Sequence, residues 1–157
     1  MSLRIRQRIL ALTDTYDVCD HTGTPRYYIS TEFLTIGHKI HICDMQGREL
    51  ARIDERLFRL LHTATITIGG IPRGDIIREF TLFRRRYRIE FNGWSVRGDY
   101  FGWDYQILNS DGVIVATIER ELFHLSDTYV LHVNDPRDEL AALTVAITID
   151  MMSCGDN

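Results

Sequence analysis

The sequence predicts a mainly β protein, a closed antiparallel barrel wrapped around its own C-terminal apolar helix. Three observations carry that expectation. The stretch from Asp135 to Met152 begins like a capped helix yet offers water no charged face until Asp150. Nearly everything before it, from Leu3 to Val133, is built of short alternating runs separated by polar turns, as in a meandering sheet. The chain also repeats itself. A shift of 65 residues superposes Gly37, Ile42, Gly47, Ala51, Ile53, Leu57, Phe58, Leu60 and Thr63 on the identical residues Gly102, Ile107, Gly112, Ala116, Ile118, Leu122, Phe123, Leu125 and Thr128. Two similar halves, each several strands long, would close a pseudo-symmetric barrel, and closure would remove exposed sheet edges.

Taken in order, Met1-Ser2-Leu3-Arg4-Ile5-Arg6-Gln7-Arg8 alternates charge with apolar residues. No apolar h-region follows, so it does not read as a signal peptide. Three later turns share one chemistry: Asp20-His21-Thr22-Gly23, Asp44-Met45-Gln46-Gly47 and Asn109-Ser110-Asp111-Gly112. Each opens on Asp or Asn and ends on Gly, which fits a type I turn closed by a left-handed glycine, and each follows an apolar approach at Val18, Ile42 or Ile107. They read as hairpins, not metal loops. Gly69-Gly70-Ile71-Pro72-Arg73-Gly74 is another turn, the tightest break between the halves; it lacks the lysine and following helix of a phosphate loop. Trp94, Tyr100, Phe101, Trp103 and Tyr105 gather around Gly93, Gly98 and Gly102, where rings are expected to pack over the bare backbone.

The helix is expected over about residues 136–152. Asp135 supplies an N-cap, Pro136 suits the first helical position, and Asp138 with Glu139 puts negative charge in the first turn. Val145, Ile147 and Ile149 also alternate with Thr144, Ala146 and Thr148 in the period of a strand, but the cap favours the helix. Leu140, Leu143, Ile147 and Met151 line one side and Val145, Ile149 and Met152 another, so no side can face water. Thr144 and Thr148 can return their hydroxyl bonds to carbonyls one turn back. At about 1.5 Å per residue the apolar run reaches roughly 20 Å, short of the ~30 Å a membrane span must cross. The rest of the chain must therefore wrap it. Asp150, near the negative end of the helix dipole, needs a partner.

The 157 residues suffice for one domain, 1–152, with a short tail over 153–157. A formal net charge of -4 gives no reason to expect a nucleic-acid partner. Cys19, Cys43 and Cys154 are an odd number without close pairing, which points to a reducing, cytoplasmic setting.

The run Gly93-Trp94-Ser95-Val96-Arg97-Gly98-Asp99-Tyr100-Phe101-Gly102-Trp103-Asp104-Tyr105-Gln106-Ile107, then Asp127 to Val133 and the apolar run ending at Asp150, resembles the LURP-one-related family. The resemblance covers nearly all of residues 1–150. It implies a tubby-like fold of twelve strands around a C-terminal apolar helix, and a distant kinship with phospholipid scramblases. It implies little chemistry, since bacterial members mostly have no assigned activity.

Candidate binding residues are two arginine rows. Arg84, Arg86 and Arg88 would share one face of a strand, as would Arg4, Arg6 and Arg8. Such rows can grip phosphate by paired forks, as the related tubby domains do with phosphoinositides, and two adjacent rows would strengthen that reading. Against it, the chain carries seventeen Arg to one Lys, Lys39, so arginine is its general cation and not a phosphate signature. A solvated strand face is the plainer reading. His38, His41 and Cys43 are possible zinc ligands, but His38 and His41 point to opposite strand faces, which leaves too few for a site. Asp14, Asp17 and Asp20 lack the spacing of a calcium loop.

No Gly-x-Ser-x-Gly, His-Glu-x-x-His or phosphate-loop motif occurs. The expectation is a non-enzymatic binding or scaffold module without cofactor or metal. Its partner would be an anionic phospholipid surface, with peripheral membrane association, or alternatively another protein contacted in a regulatory role; an enzyme with a noncanonical site, formed by dispersed carboxylates or a Cys-His pair meeting in space, is the least favoured alternative.

Overall fold

The computed structural model describes residues 1–6, 15–33, 36–56, 61–80, 85–100, 104–121 and 128–154. Twelve strands come first: β1 (Ser2–Arg6), β2 (Thr15–Asp20), β3 (Pro25–Phe33), β4 (His38–Cys43), β5 (Glu49–Arg56), β6 (Thr63–Ile68), β7 (Ile71–Phe80), β8 (Arg85–Glu90), β9 (Ser95–Asp99), β10 (Asp104–Leu108), β11 (Ile114–Arg120) and β12 (Thr128–Val133). A 3-10 turn, Pro136–Asp138, leads into helix α1 (Glu139–Cys154). All strands join one antiparallel sheet in the order β8-β7-β6-β5-β4-β3-β2-β1-β12-β11-β10-β9, which curls into a barrel open along one seam, between β8 and β9.

The 65-residue repeat is structural. It carries β4, β5 and β6 onto β10, β11 and β12, and the sheet order extends the correspondence to β3 with β9, β7 with β1, and β8 with β2. One half is thus circularly permuted: β1, at the start of the chain, completes the half that begins at β9. Its pairing with β12, Ser2 opposite His132 through Arg6 opposite Thr128, joins the chain's ends.

The three hairpin turns are built alike. In each, the glycine N–H donates to the carbonyl of the opening residue: Gly23 to Asp20, Gly47 to Asp44 and Gly112 to Asn109, all at 3.0 Å. The opening side chain accepts two further backbone bonds, Asp44 from Gln46 and Arg48 and Asn109 from Asp111 and Val113. The glycines adopt φ of 85°, 82° and 77°. Each turn sits beyond a register shift, at Val18/Cys19, Ile42/Cys43 and Ile107/Leu108, as a glycine bulge requires. Gly69 and Gly70 form the two-residue turn between Ile68 and Ile71.

These tight turns lie at one end of the barrel, and the helix enters there. Asp135 accepts the Arg137 N–H at 2.9 Å, capping the 3-10 turn. Buried Glu139 receives the Tyr27 hydroxyl at 2.5 Å and the Arg26 guanidinium at 3.4 Å. Between them the helix is sheathed by its own strands: Leu143, Ile147 and Ile149 are 0%, 1% and 0% exposed. It packs on β5, β6, β7, β11 and β12. Thr144 and Thr148 bond back to the carbonyls of Leu140 and Thr144 at 2.7 Å each. At the far end Arg78, buried on β7, donates to the Met152 carbonyl at 2.6 Å, so a cation meets the negative end of the helix dipole. Tyr87 and Ser153 share a 2.7 Å hydroxyl bond beside it. Buried Asp150 does interact with its surroundings, as its position demanded; its charge helps hold the buried Tyr105 hydroxyl well above the usual tyrosine range, behind the larger effect of burial. The aromatic residues near the glycines pack as expected where they are described: Trp94 meets Phe91 edge-on at 5.5 Å, and a methyl group on Gly98 would lie 2.6 Å from the Tyr105 Cα. Phe101, Gly102 and Trp103 lie outside the described residues.

Candidate functional site

Among the described residues the two arginine rows do not converge. Arg84 and Arg8 lie outside the described residues, as does the side chain of Arg6. Arg4 is exposed on β1, 3.6 Å from Glu121. Arg88 is held by two carboxylates, its Nε 2.9 Å from Glu79 and its Nη1 3.1 Å from Glu90. Arg86 is exposed on β8 and forms no ion pair among the described residues. Strands β2 to β7 separate β1 from β8 one way round and β9 to β12 the other, so the rows occupy opposite walls.

Arg86 and Arg88 do border the seam of the barrel. By the repeat, β8 and β9 correspond to β2 and β3, which form a ladder from Thr15 opposite Ser30 to Cys19 opposite Pro25. No ladder joins β8 to β9 among the described residues. The two strands begin as a hairpin, with Asn92 and Gly93 at φ of 53° and 66° and the Trp94 N–H bonded to the Phe91 carbonyl at 3.0 Å, and then part. A side chain bridges the gap. The Tyr100 hydroxyl donates to the Val96 carbonyl on β9 at 3.1 Å, and its ring meets Tyr87 of β8 edge-on at 5.1 Å and Tyr105 at 5.7 Å. Burial raises the pKa of that hydroxyl, and the nearby Arg86 charge offsets only part of the rise. On the outer face Arg97 of β9 meets the Gln106 side chain at 3.3 Å and forms no ion pair among the described residues. Arg97 was no candidate from sequence, because it stands singly between Val96 and Gly98 and belongs to no arginine row.

A second constellation lies inside the barrel end where the helix finishes. Strand alternation turns His38 of β4, Glu55 of β5, His62 before β6 and Arg78 of β7 to the same side as Ile40, Ile53, Ala64 and Ile76. Glu55 accepts from the His62 ring at 2.5 Å, from the His38 ring, and from the His38 backbone N–H at 2.9 Å. Burial works against its charge, but those hydrogen bonds outweigh it and hold the carboxyl below the usual glutamate value. The Arg78 N–H reaches the His62 carbonyl at 2.9 Å, tying the cluster to the helix clamp. His41 points outward, as the alternation required, and lies between Glu49 at 2.5 Å and Glu32 at 3.0 Å. Among the described residues no three His, Cys, Asp or Glu side chains are arranged to hold a metal ion. The imidazoles of His38, His41 and His62 are turned toward neighbouring carboxylates instead. No helix among them is long and apolar enough to cross a membrane.

A family model described as LURP-one-related matches residues 1–150. The chain belongs to that family. Among LURP-one-related relatives it is similar to the uncharacterized protein YxjI of Bacillus subtilis (strain 168), 22% identical over 156 residues, covering 99% of this chain and 96% of that one. A solved structure of an Arabidopsis thaliana protein, AT5G01750, has the same fold at 13% identity, with a TM-score of 0.62 over 95% of this chain and 91% of the other. The LURP-one-related barrel and its central helix are therefore the setting for both clusters, one on the outer seam and one inside the helix exit.

Proposed function

We propose that the protein is a non-enzymatic binding module that engages another protein through the β8–β9 seam. The observation that carries this reading is the interrupted ladder. A barrel normally leaves no sheet edge, and an edge bordered by backbone donors and acceptors is a template for an added strand. Its interior is filled by α1, which leaves the outer wall as the working surface. An anionic lipid headgroup fits less well, because Arg4 and Arg88 already face carboxylates and the two rows lie on opposite walls. Ser2 Oγ does lie 2.8 Å from His132 Nδ1, with Glu119 3.8 Å from the other ring nitrogen, but the group is exposed on the outer wall, which gives catalysis little support.

Amide hydrogen exchange on the intact chain tests the reading. The seam-facing amides of β8 and β9 should exchange at least about 100-fold faster than their counterparts in β2 and β3. Equal protection would mean that the edge is not available, and the reading would fall. Sedimentation with phosphoinositide-containing vesicles at low salt supplies the rival outcome: salt-sensitive binding lost in Arg86→Ala would move the function to the membrane surface.

A further inference from the structure

We infer that the segment admitted at the seam is an extended stretch alternating apolar and acidic residues, and that Tyr100 is the plug it displaces. This rests on the seam reading above and specifies the chemistry of its occupant. The extended form follows from the geometry of strand addition, in which backbone bonds supply attraction and alternate side chains supply selectivity. The inward side chains along the gap are Tyr87 and Ile89 on β8 and Val96 on β9, two of them buried and Val96 half-buried, so every second residue of the occupant must be apolar.

The outward positions set the charge. Among the described residues Arg86 has no ion pair, and Arg97 meets the neutral Gln106 amide and no carboxylate. Arg88 is neutralised by Glu79 and Glu90, so a run of pure acid would meet Glu90 unfavourably, whereas isolated carboxylates facing Arg86 and Arg97 would not. The plug is Tyr100. Its hydroxyl occupies the Val96 carbonyl, an acceptor that a neighbouring strand would satisfy with a backbone N–H, and its ring lies across to Tyr87. A side chain thus stands in for the missing strand. Strand addition exchanges the hydroxyl bond for a backbone one and swings the ring aside.

The test is an NMR titration of the full chain with three capped hexapeptides: alternating valine and glutamate, alternating valine and lysine, and the first peptide N-methylated at alternate residues. The acidic peptide should shift β8 and β9 resonances saturably, with the lysine and N-methylated peptides at least about 10-fold weaker. Tyr100→Phe, which keeps the ring and removes the competing hydroxyl, should tighten binding by about 5-fold. Arg86→Gln with Arg97→Gln should erase the preference for glutamate over lysine. Equal binding of the acidic and basic peptides, or no binding to either wild type or Tyr100→Phe while the seam amides exchange freely, overturns the inference and leaves the seam reading standing. Seam amides as protected as those of β2 and β3 remove both.

Discussion

A methyl group at Gly74 would lie 1.9 Å from the carbonyl oxygen of Glu90, on a backbone at φ of 156°. Neither the strand nor its neighbour β8 can yield without breaking the β7–β8 ladder. Gly74→Ala should therefore cost about 2–3 kcal/mol, read as a lower urea midpoint with unchanged slope. By contrast, Gly47→Ala meets no atom within 4 Å and suffers only its φ of 82°, so its cost should be smaller, about 1 kcal/mol. The two glycines also divide what sequence can tell. Gly47 announces its role through Asp44 three residues earlier, because the turn is local chemistry. The need for Gly74 comes from Glu90, which reaches it only through strand register. Arg88 was readable as one of a row for the same local reason, and its neutralisation by Glu79 was not, since β7 had first to be aligned with β8.

At the level of elements, α1 depends on the apolar sheath and on its two clamped ends. Leu143→Ala, at a position with no exposure, should destabilise by about 2–5 kcal/mol in chemical denaturation. The helix was legible because a run apolar on every side, capped by Asp135 and too short for a bilayer, has one place to go. The cluster at its exit was not legible: Glu55 stands 17 residues from His38 in sequence and meets it only across the β4–β5 ladder. That cluster sets an acid limit. The folded pKa of Glu55 lies below its ordinary value of 4.5, so its contribution is complete above that value and is lost as pH falls through the depressed one. Asp135, lowered to about 2 by the Arg137 guanidinium and N–H, likewise loses its contribution as pH falls toward that value. Glu55→Gln should lower stability near neutrality by about 1–3 kcal/mol and make the decline below pH 4.5 shallower. An unchanged acid limb in thermal melts from pH 6 to pH 3 would assign the acid sensitivity elsewhere.

For the whole molecule, the barrel wall and the helix form one core, with Ile53, Ile66 and Ile118 of the wall meeting the apolar residues of α1. A chain ending at Asp135 should accordingly lose cooperative folding and aggregate, whereas a soluble truncation with a sharp melting transition would make the helix peripheral. The repeat was legible as an offset of identical residues. Its permuted form was not, because β7 and β1 share no telling residues and are matched only by their places in the sheet. Nor was the seam: Asn92-Gly93 is a strong hairpin signal, and only the sheet order shows that no β8–β9 ladder follows it among the described residues.

The pairing of β1 with β12 carries a consequence for biosynthesis. Leu3 lies opposite Leu131, so β1 cannot gain that flanking partner until 128 further residues (131 − 3) have been made. Contacts this distant along the chain make folding slow, and the waiting strand offers a bare margin to any other nascent chain. Slower elongation, or a chaperone that shields β1, is then expected to raise the yield of folded protein without any change in how tightly the finished wall holds.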